Sequence, residues 1–203
     1  MKLFYHHSWY FFQDIINSNK TREMRTIVYI GTSLDGFIAR KDGDIDWLVK
    51  FADDEAIHAY KEFINRIDAV IIGKRTYEKV LSFPSWPYET EVFVLSSSLQ
   101  QVPDKLKDKV TILLMKPGEL LGHLSGKGFS GIYVDGGKVI QSFLKEDLID
   151  ELIISKIPIL LGAGIPLFGS LDGDLLFTHI RTESYSNGLV RSYYERNRNQ
   201  LNK

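Results

Sequence analysis

Short apolar runs of strand type recur along the chain with helical stretches between them, and few folds accept that order of elements. The runs fall at residues 26–30, 69–72, 92–95, 110–114, 131–134 and 151–154. Residues 55–67 carry helical periodicity, with Ile57, Tyr60, Phe63, Ile64 and Ile67 on one face. A shorter helix is expected over 138–144, after Gly136-Gly137, and another begins at Thr76. Strands that alternate with helices form a largely parallel sheet covered by helices on both faces. A last pair of runs, 177–183 and 189–194, brackets Ser186-Asn187-Gly188. Asn-Gly between such runs is hairpin chemistry. The expected fold is α/β in three layers: a mixed, mostly parallel sheet closed by a C-terminal antiparallel hairpin.

At 203 residues the chain has room for one domain and little else. The first 23 residues stand apart, with Phe4, Tyr5, Trp9, Tyr10, Phe11 and Phe12 crowded into the first dozen positions. His6, His7, Ser8, Gln13 and Asp14 interrupt any signal-peptide core there. The expected organisation is an N-terminal extension at 1–23, a domain at 24–196 and a polar tail at 197–203. An aromatic arm that packs on the domain or on a partner chain is the alternative reading of the extension.

The charge balance excludes several functions. With 25 Lys and Arg against 26 Asp and Glu, net charge is −1, which removes the main electrostatic argument for binding nucleic acid or an anionic membrane. The absence of cysteine excludes disulfides, Cys-ligated zinc and thiol nucleophiles, and it suits a cytoplasmic protein. His6, His7, His58, His123 and His179 show no ligand spacing, so no metal site is expected.

In open parallel sheets, ligands bind beyond the carboxyl ends of the strands, and three such ends here share one chemistry. They are Gly73-Lys74-Arg75-Thr76, Ser96-Ser97-Ser98 and Asp135-Gly136-Gly137, the first and last immediately before helices. Glycine lets a backbone approach a phosphate closely, and free N–H groups at a helix start point at the anion. That interaction contributes only about 0.3–1 kcal/mol, so cations and hydroxyls must add charge-assisted bonds. Lys74, Arg75, Thr76, Ser96 and Ser97 supply them, and the Lys-Arg pair favours a 2′-phosphate, hence NADP over NAD. For any one site alone, a solvated turn is the simpler reading. Gly162-Ala163-Gly164-Ile165-Pro166-Leu167 begins like a dinucleotide fingerprint, but Leu167 stands where its closing glycine belongs.

Taken together, these segments resemble the dihydrofolate reductase-like domains, closest to the reductase half of the bifunctional riboflavin-biosynthesis deaminase–reductase. The likeness runs from about Met24 to Glu195. It is carried by Ser33-Leu34-Asp35-Gly36-Phe37-Ile38-Ala39, Asp46-Trp47-Leu48, Ile72-Gly73-Lys74-Arg75-Thr76-Tyr77-Glu78, Leu95-Ser96-Ser97, Val134-Asp135-Gly136-Gly137 and the stretch from Pro158 to Phe168. The resemblance implies an NADPH-dependent reductase with an eight-stranded mixed sheet, acting as a homodimer on a pteridine-like or pyrimidine substrate. The phosphoribosylaminouracil of riboflavin synthesis, 5-amino-6-(5-phosphoribosylamino)uracil, is one such substrate.

By that resemblance, Gly73 to Thr76 with Ser96 and Ser97 take the 2′-phosphate side. Gly136, Gly137, Lys138, Val139 and Ile140 take the pyrophosphate, and Ile38 and Ala39 lie near the nicotinamide. Trp47, Asp46, Leu161 and Gly162 are the implied substrate contacts, although Trp47 reads equally as a core residue. Asp135, where the riboflavin reductases carry a glutamate, and Asp35 are the candidate catalytic carboxylates. Each has a turn-forming alternative. With no cysteine and no His-x-Glu, Cys-x-x-Cys signature, deaminase chemistry is excluded. No single residue matches the pteridine-binding carboxylate of true dihydrofolate reductases. A non-catalytic NADP-binding or sensing module, a dihydrofolate reductase and a dimerising structural protein are the competing readings.

Overall fold

The computed structural model describes residues 23–199. The extension at 1–23, apart from Glu23, and the last four residues of the polar tail lie outside the described residues.

Strand β1 (Arg25–Ser33) and the short β2 (Phe37–Ala39) lead into helices α1 (Asp46–Val49) and α2 (Asp54–Ile64). Next come β3 (Ala69–Gly73), α3 (Lys74–Leu81), β4 (Glu91–Leu95) and β5 (Val110–Leu113). Helix α4 (Pro117–Gly126), β6 (Gly131–Asp135), α5 (Gly137–Lys145) and β7 (Glu151–Ile157) follow. Strands β8 (Ile165–Pro166), β9 (Phe177–Ser184) and β10 (Val190–Arg196) close the chain. Eight strands form one sheet in the order β5-β4-β3-β6-β1-β7-β10-β9, and β2 pairs with β8 in a small second sheet. All pairings from β5 to β7 are parallel, whereas β10 runs antiparallel to both β7 and β9.

Alternation along the strands sorts the core into two layers. Val28, Ala69, Ile71, Ile132 and Val134 face α4 and α5, where Leu120, Leu124, Ile140 and Phe143 are buried. Ile27, Val70, Ile72, Val92 and Tyr133 face α2 and α3 through Phe63, Tyr77 and Val80. The expected three-layer α/β fold with its closing hairpin is the observed one. The hairpin turn also anchors α2: Asn187 Nδ2 donates to Asp53 Oδ2 at 2.7 Å, while Asp53 Oδ1 caps the helix by accepting from Ala56 N at 2.9 Å.

Three elements carry too little local signal to be read from sequence. Helix α4 contains Gly118, Gly122 and Ser125, poor helix formers, and is held by Leu120 and Leu124, four residues apart and fully buried. The other two, α1 and the β2–β8 pair, are only a few residues long. The predicted helix at 55–67 ends at Ile64, and Ile57, assigned to its apolar face, is 41% exposed because α2 meets the sheet through Tyr60, Phe63 and Ile64. Among the described residues, no helix is long and apolar enough to cross a membrane.

Candidate active site

Parallel pairing brings the three glycine- or serine-bearing strand ends side by side. Gly73 stands opposite Leu95 at the ends of β3 and β4, and Ile72 opposite Asp135 at the end of β6. The contact between these ends is close enough to require glycine. Gly136 has φ +91°, and a Cβ there would lie 2.2 Å from Thr76 Oγ1 in the first turn of α3. A Cβ on Gly137 would meet Ile38 Cδ1 at 3.0 Å and Ile165 Cγ2 at 3.3 Å, and one on Gly73 would meet Val139 Cγ2 at 3.0 Å. Ile38, Gly73, Thr76, Gly136, Gly137 and Val139, separated by up to 101 positions in sequence, therefore share one wall.

That wall is the start of α5. Gly136 occupies its N-cap position without a side-chain cap, so the first backbone N–H groups of the helix are left for an anion. Val139 and Ile140 are buried in the core, so only their backbone can serve a ligand, whereas the Lys138 side chain is exposed. Beside them, Lys74 Nζ donates to Ser98 Oγ at 3.1 Å and lies 3.8 Å from Glu78 Oε1. Ser96 Oγ accepts from the backbone N–H groups of Ser98 and Leu99 at 3.1 and 3.0 Å, which folds the serine run into a tight turn. Arg75 and Ser97 are exposed at the same edge. Backbone amides, a cation and hydroxyls converge here as a dinucleotide phosphate demands.

The two candidate carboxylates have opposite environments. Asp35 is exposed and accepts three hydrogen bonds: from Ser33 Oγ at 2.5 Å, Leu161 N at 3.2 Å and Gly162 N at 2.7 Å. The Ser33 hydroxyl and those amides hold its carboxyl below the usual range. Asp35 thus ties the β1–β2 turn to the loop after β7, and Leu161 and Gly162 reach it through their backbone N–H groups. Asp35→Ala is expected to release residues 160–162, seen as faster proteolysis of that loop with the sheet intact; unchanged cleavage would refute the tie.

Asp135 is desolvated. Burial pushes its carboxyl up to about 6, although Gly136 N donates to its Oδ1 at 2.7 Å and pulls the other way. Tyr60, Tyr88 and Tyr133 are near enough for the Asp135 charge to raise their own phenols further. Sequence reading missed Tyr60 as a site residue, assigning it to the core face of a helix, and missed Tyr88 entirely. The only local hint was the aromatic richness of Trp86-Pro87-Tyr88.

Trp47 and Asp46 have other neighbours, Trp47 in a cluster against which Leu161 also packs. Trp47 is 1% exposed and packs with Ile157, Tyr185 and Leu189 in a separate small core, its Nε1 buried without a partner among the described residues. Asp46 is engaged by Arg40, whose Nε donates to Oδ1 at 2.7 Å. Among the described residues no group of three or more His, Asp or Glu could hold a metal. A groove of about 860 Å³ runs between α2 and β9–β10, but none of its lining residues belongs to the strand ends described above.

Comparison with known proteins places this arrangement. The uncharacterized protein YwjB of Bacillus subtilis is 41% identical over 157 residues, 75% of this chain and 87% of that one. A solved structure from Shewanella sp. PV-4, assigned provisionally to riboflavin biosynthesis, is 44% identical with a TM-score of 0.79, covering 86% of this chain and 100% of that one. The Thermotoga maritima diaminohydroxyphosphoribosylaminopyrimidine deaminase/5-amino-6-(5-phosphoribosylamino)uracil reductase shares the fold at 18% identity and TM-score 0.68, over 90% of this chain and 59% of that one. The sequence profile of the RibD C-terminal domain matches residues 25–191, and the chain belongs to that family.

Proposed function

We propose that the protein is an NADPH-dependent reductase of a pteridine-like or pyrimidine substrate, with 5-amino-6-(5-phosphoribosylamino)uracil the first compound to test. The observation that carries this reading is the glycine wall at the start of α5, closed by Thr76 and Ile38 and ending beside the desolvated Asp135. A cofactor of this class suits the donor set, because the uncapped backbone N–H groups at the start of α5 lie next to the strand ends that carry Lys74 and the serine turn.

Lys74, Arg75, Thr76 and the serine turn would hold the 2′-phosphate. The backbone of Gly136 to Ile140, with Lys138 exposed over it, would hold the pyrophosphate, and Ile38 and Ala39 would lie along the nicotinamide. The bound cofactor supplies hydride. The chain must deliver the matching proton, and a carboxyl raised to about 6 keeps a substantial protonated fraction near neutrality. Asp135 is therefore the proton donor in this reading, and Asp35 holds the loop at Leu161 and Gly162. The molecule is taken as a cytoplasmic homodimer.

Titration with NADPH and NADH tests the cofactor, and turnover of the phosphoribosylaminouracil tests the substrate. Lys74→Ala with Arg75→Ala is expected to weaken NADPH by about 10–100-fold, from two charge-assisted contacts, and NADH by much less. Equal weakening of both would sink the 2′-phosphate assignment.

A further inference from the structure

The residues around Asp135 carry a finer statement about the substrate, one that rests on the reductase reading above. Tyr133 and Asp135 lie two residues apart on β6 and share the face toward α2. The Phe63 ring packs edge-on against Tyr133 at 5.1 Å between centroids, and Tyr60 stands beside Phe63 at 6.1 Å. From the other side, Tyr77, Trp86 and Tyr88 form an edge-to-face chain with centroids 6.1 and 5.5 Å apart. Asp135 is thus flanked by Tyr133 of its own strand and by tyrosines from two remote segments, Tyr60 and Tyr88.

Their polar atoms are not all used. The Tyr133 hydroxyl donates to Tyr29 O at 2.9 Å, but the hydroxyls of Tyr60 and Tyr88 have no hydrogen-bond partner among the described residues. Tyr88 is only 5% exposed. Neither hydroxyl belongs to the sealed, unpartnered polar atoms, unlike those of Tyr77 and Trp86 in the same cluster, so both end on its accessible side. The carboxylate of Asp135 uses Oδ1 for Gly136 N, and Oδ2 is left for a ligand. A phenol hydroxyl on the accessible side of an apolar cluster can exchange its water for a bound group with a matching donor or acceptor. Among the described residues no lysine or arginine acts on the Asp135 carboxyl, so nothing there favours an anion at this point.

We propose that Tyr60 and Tyr88 are substrate-positioning residues that hold a flat, uncharged, hydrogen-bonding heterocycle against Asp135. The rings supply stacking faces and the hydroxyls read the edge of the ligand, while any charged arm of the substrate lies away from Asp135.

Pterin is a suitable probe, because its binding is followed by its own fluorescence and needs no turnover. The wild-type protein is expected to bind pterin, and Tyr60→Phe and Tyr88→Phe are each expected to weaken it about tenfold, with NADPH affinity unchanged. Such conservative changes keep the ring packing, so a loss confined to pterin reports the hydroxyl rather than the fold. Equal pterin affinity in wild type and both variants would overturn the proposal. NADPH bound without pterin would overturn it and leave the reductase reading standing. Pterin bound without NADPH would support the ring site and overturn the reductase reading.

Discussion

Gly136→Ala is expected to destroy tight NADPH binding and to destabilise the fold together. Two independent costs meet at this residue. Its φ of +91° lies in the left-handed region, which costs a non-glycine residue about 1–3 kcal/mol. Its added Cβ would also stand 2.2 Å from Thr76 Oγ1, and the Thr76 Cβ at 3.3 Å limits how far that side chain can swing aside. Relief requires α3 and α5 to separate, which opens the wall proposed to grip the dinucleotide. Thermal melting should show a drop, and fluorescence titration should show NADPH affinity at least tenfold weaker, roughly 1.4 kcal/mol. Combining it with Thr76→Ala removes the collision but not the φ cost, so partial recovery is expected. Wild-type NADPH affinity in the single variant would show that the wall is not the binding surface.

Asp135→Asn is expected to remove a pH dependence as well as most of the rate. In the wild type, the protonated fraction of Asp135 falls about tenfold per pH unit above its raised value of about 6, so turnover should decline as pH rises through that point. Asparagine cannot donate the proton as an acid, and a loss of about 10²–10⁴ in rate is expected. Stability offers a second readout free of any substrate. The carboxyl is raised in the folded state above its unfolded value of 3.8, so its contribution is greatest below that value and is lost as pH climbs through about 6. Melting temperature should therefore fall across that window in the wild type and stay flatter in Asp135→Asn. Parallel curves would show that Asp135 is not desolvated in the way described.

Much of the site was legible because its signals are local. Gly136-Gly137 at a strand-to-helix junction marks a backbone in close approach, and Lys74-Arg75 at the neighbouring strand end underlies the proposed phosphate contact. Asp135 was legible as a candidate from its place at a strand end. Its distinction from Asp35 was not, because both are Asp residues next to glycine in turn-like sequence. Burial separates them: one carboxylate is filled by Ser33, Leu161 and Gly162, and the other keeps an oxygen free among tyrosines. Trp47 illustrates the reverse problem. Its sequence context suits a pocket or a core equally, and only its neighbours Ile157, Tyr185 and Leu189, from the far end of the chain, place it in a separate core.

By itself, the order of apolar runs, glycines and the Asn187-Gly188 turn determined an α/β sheet with a closing hairpin and the strand ends where a ligand would lie. Those features depend on periodicity and backbone conformation within a few residues, and such short-range preferences are written in the chain. Tertiary structure alone decided that Gly136 touches Thr76, that α4 is a helix, and that Tyr60 and Tyr88 converge on Asp135. Each of those depends on which distant segments exclude water from the same place, and desolvation is a property of the assembled neighbourhood rather than of any residue in it.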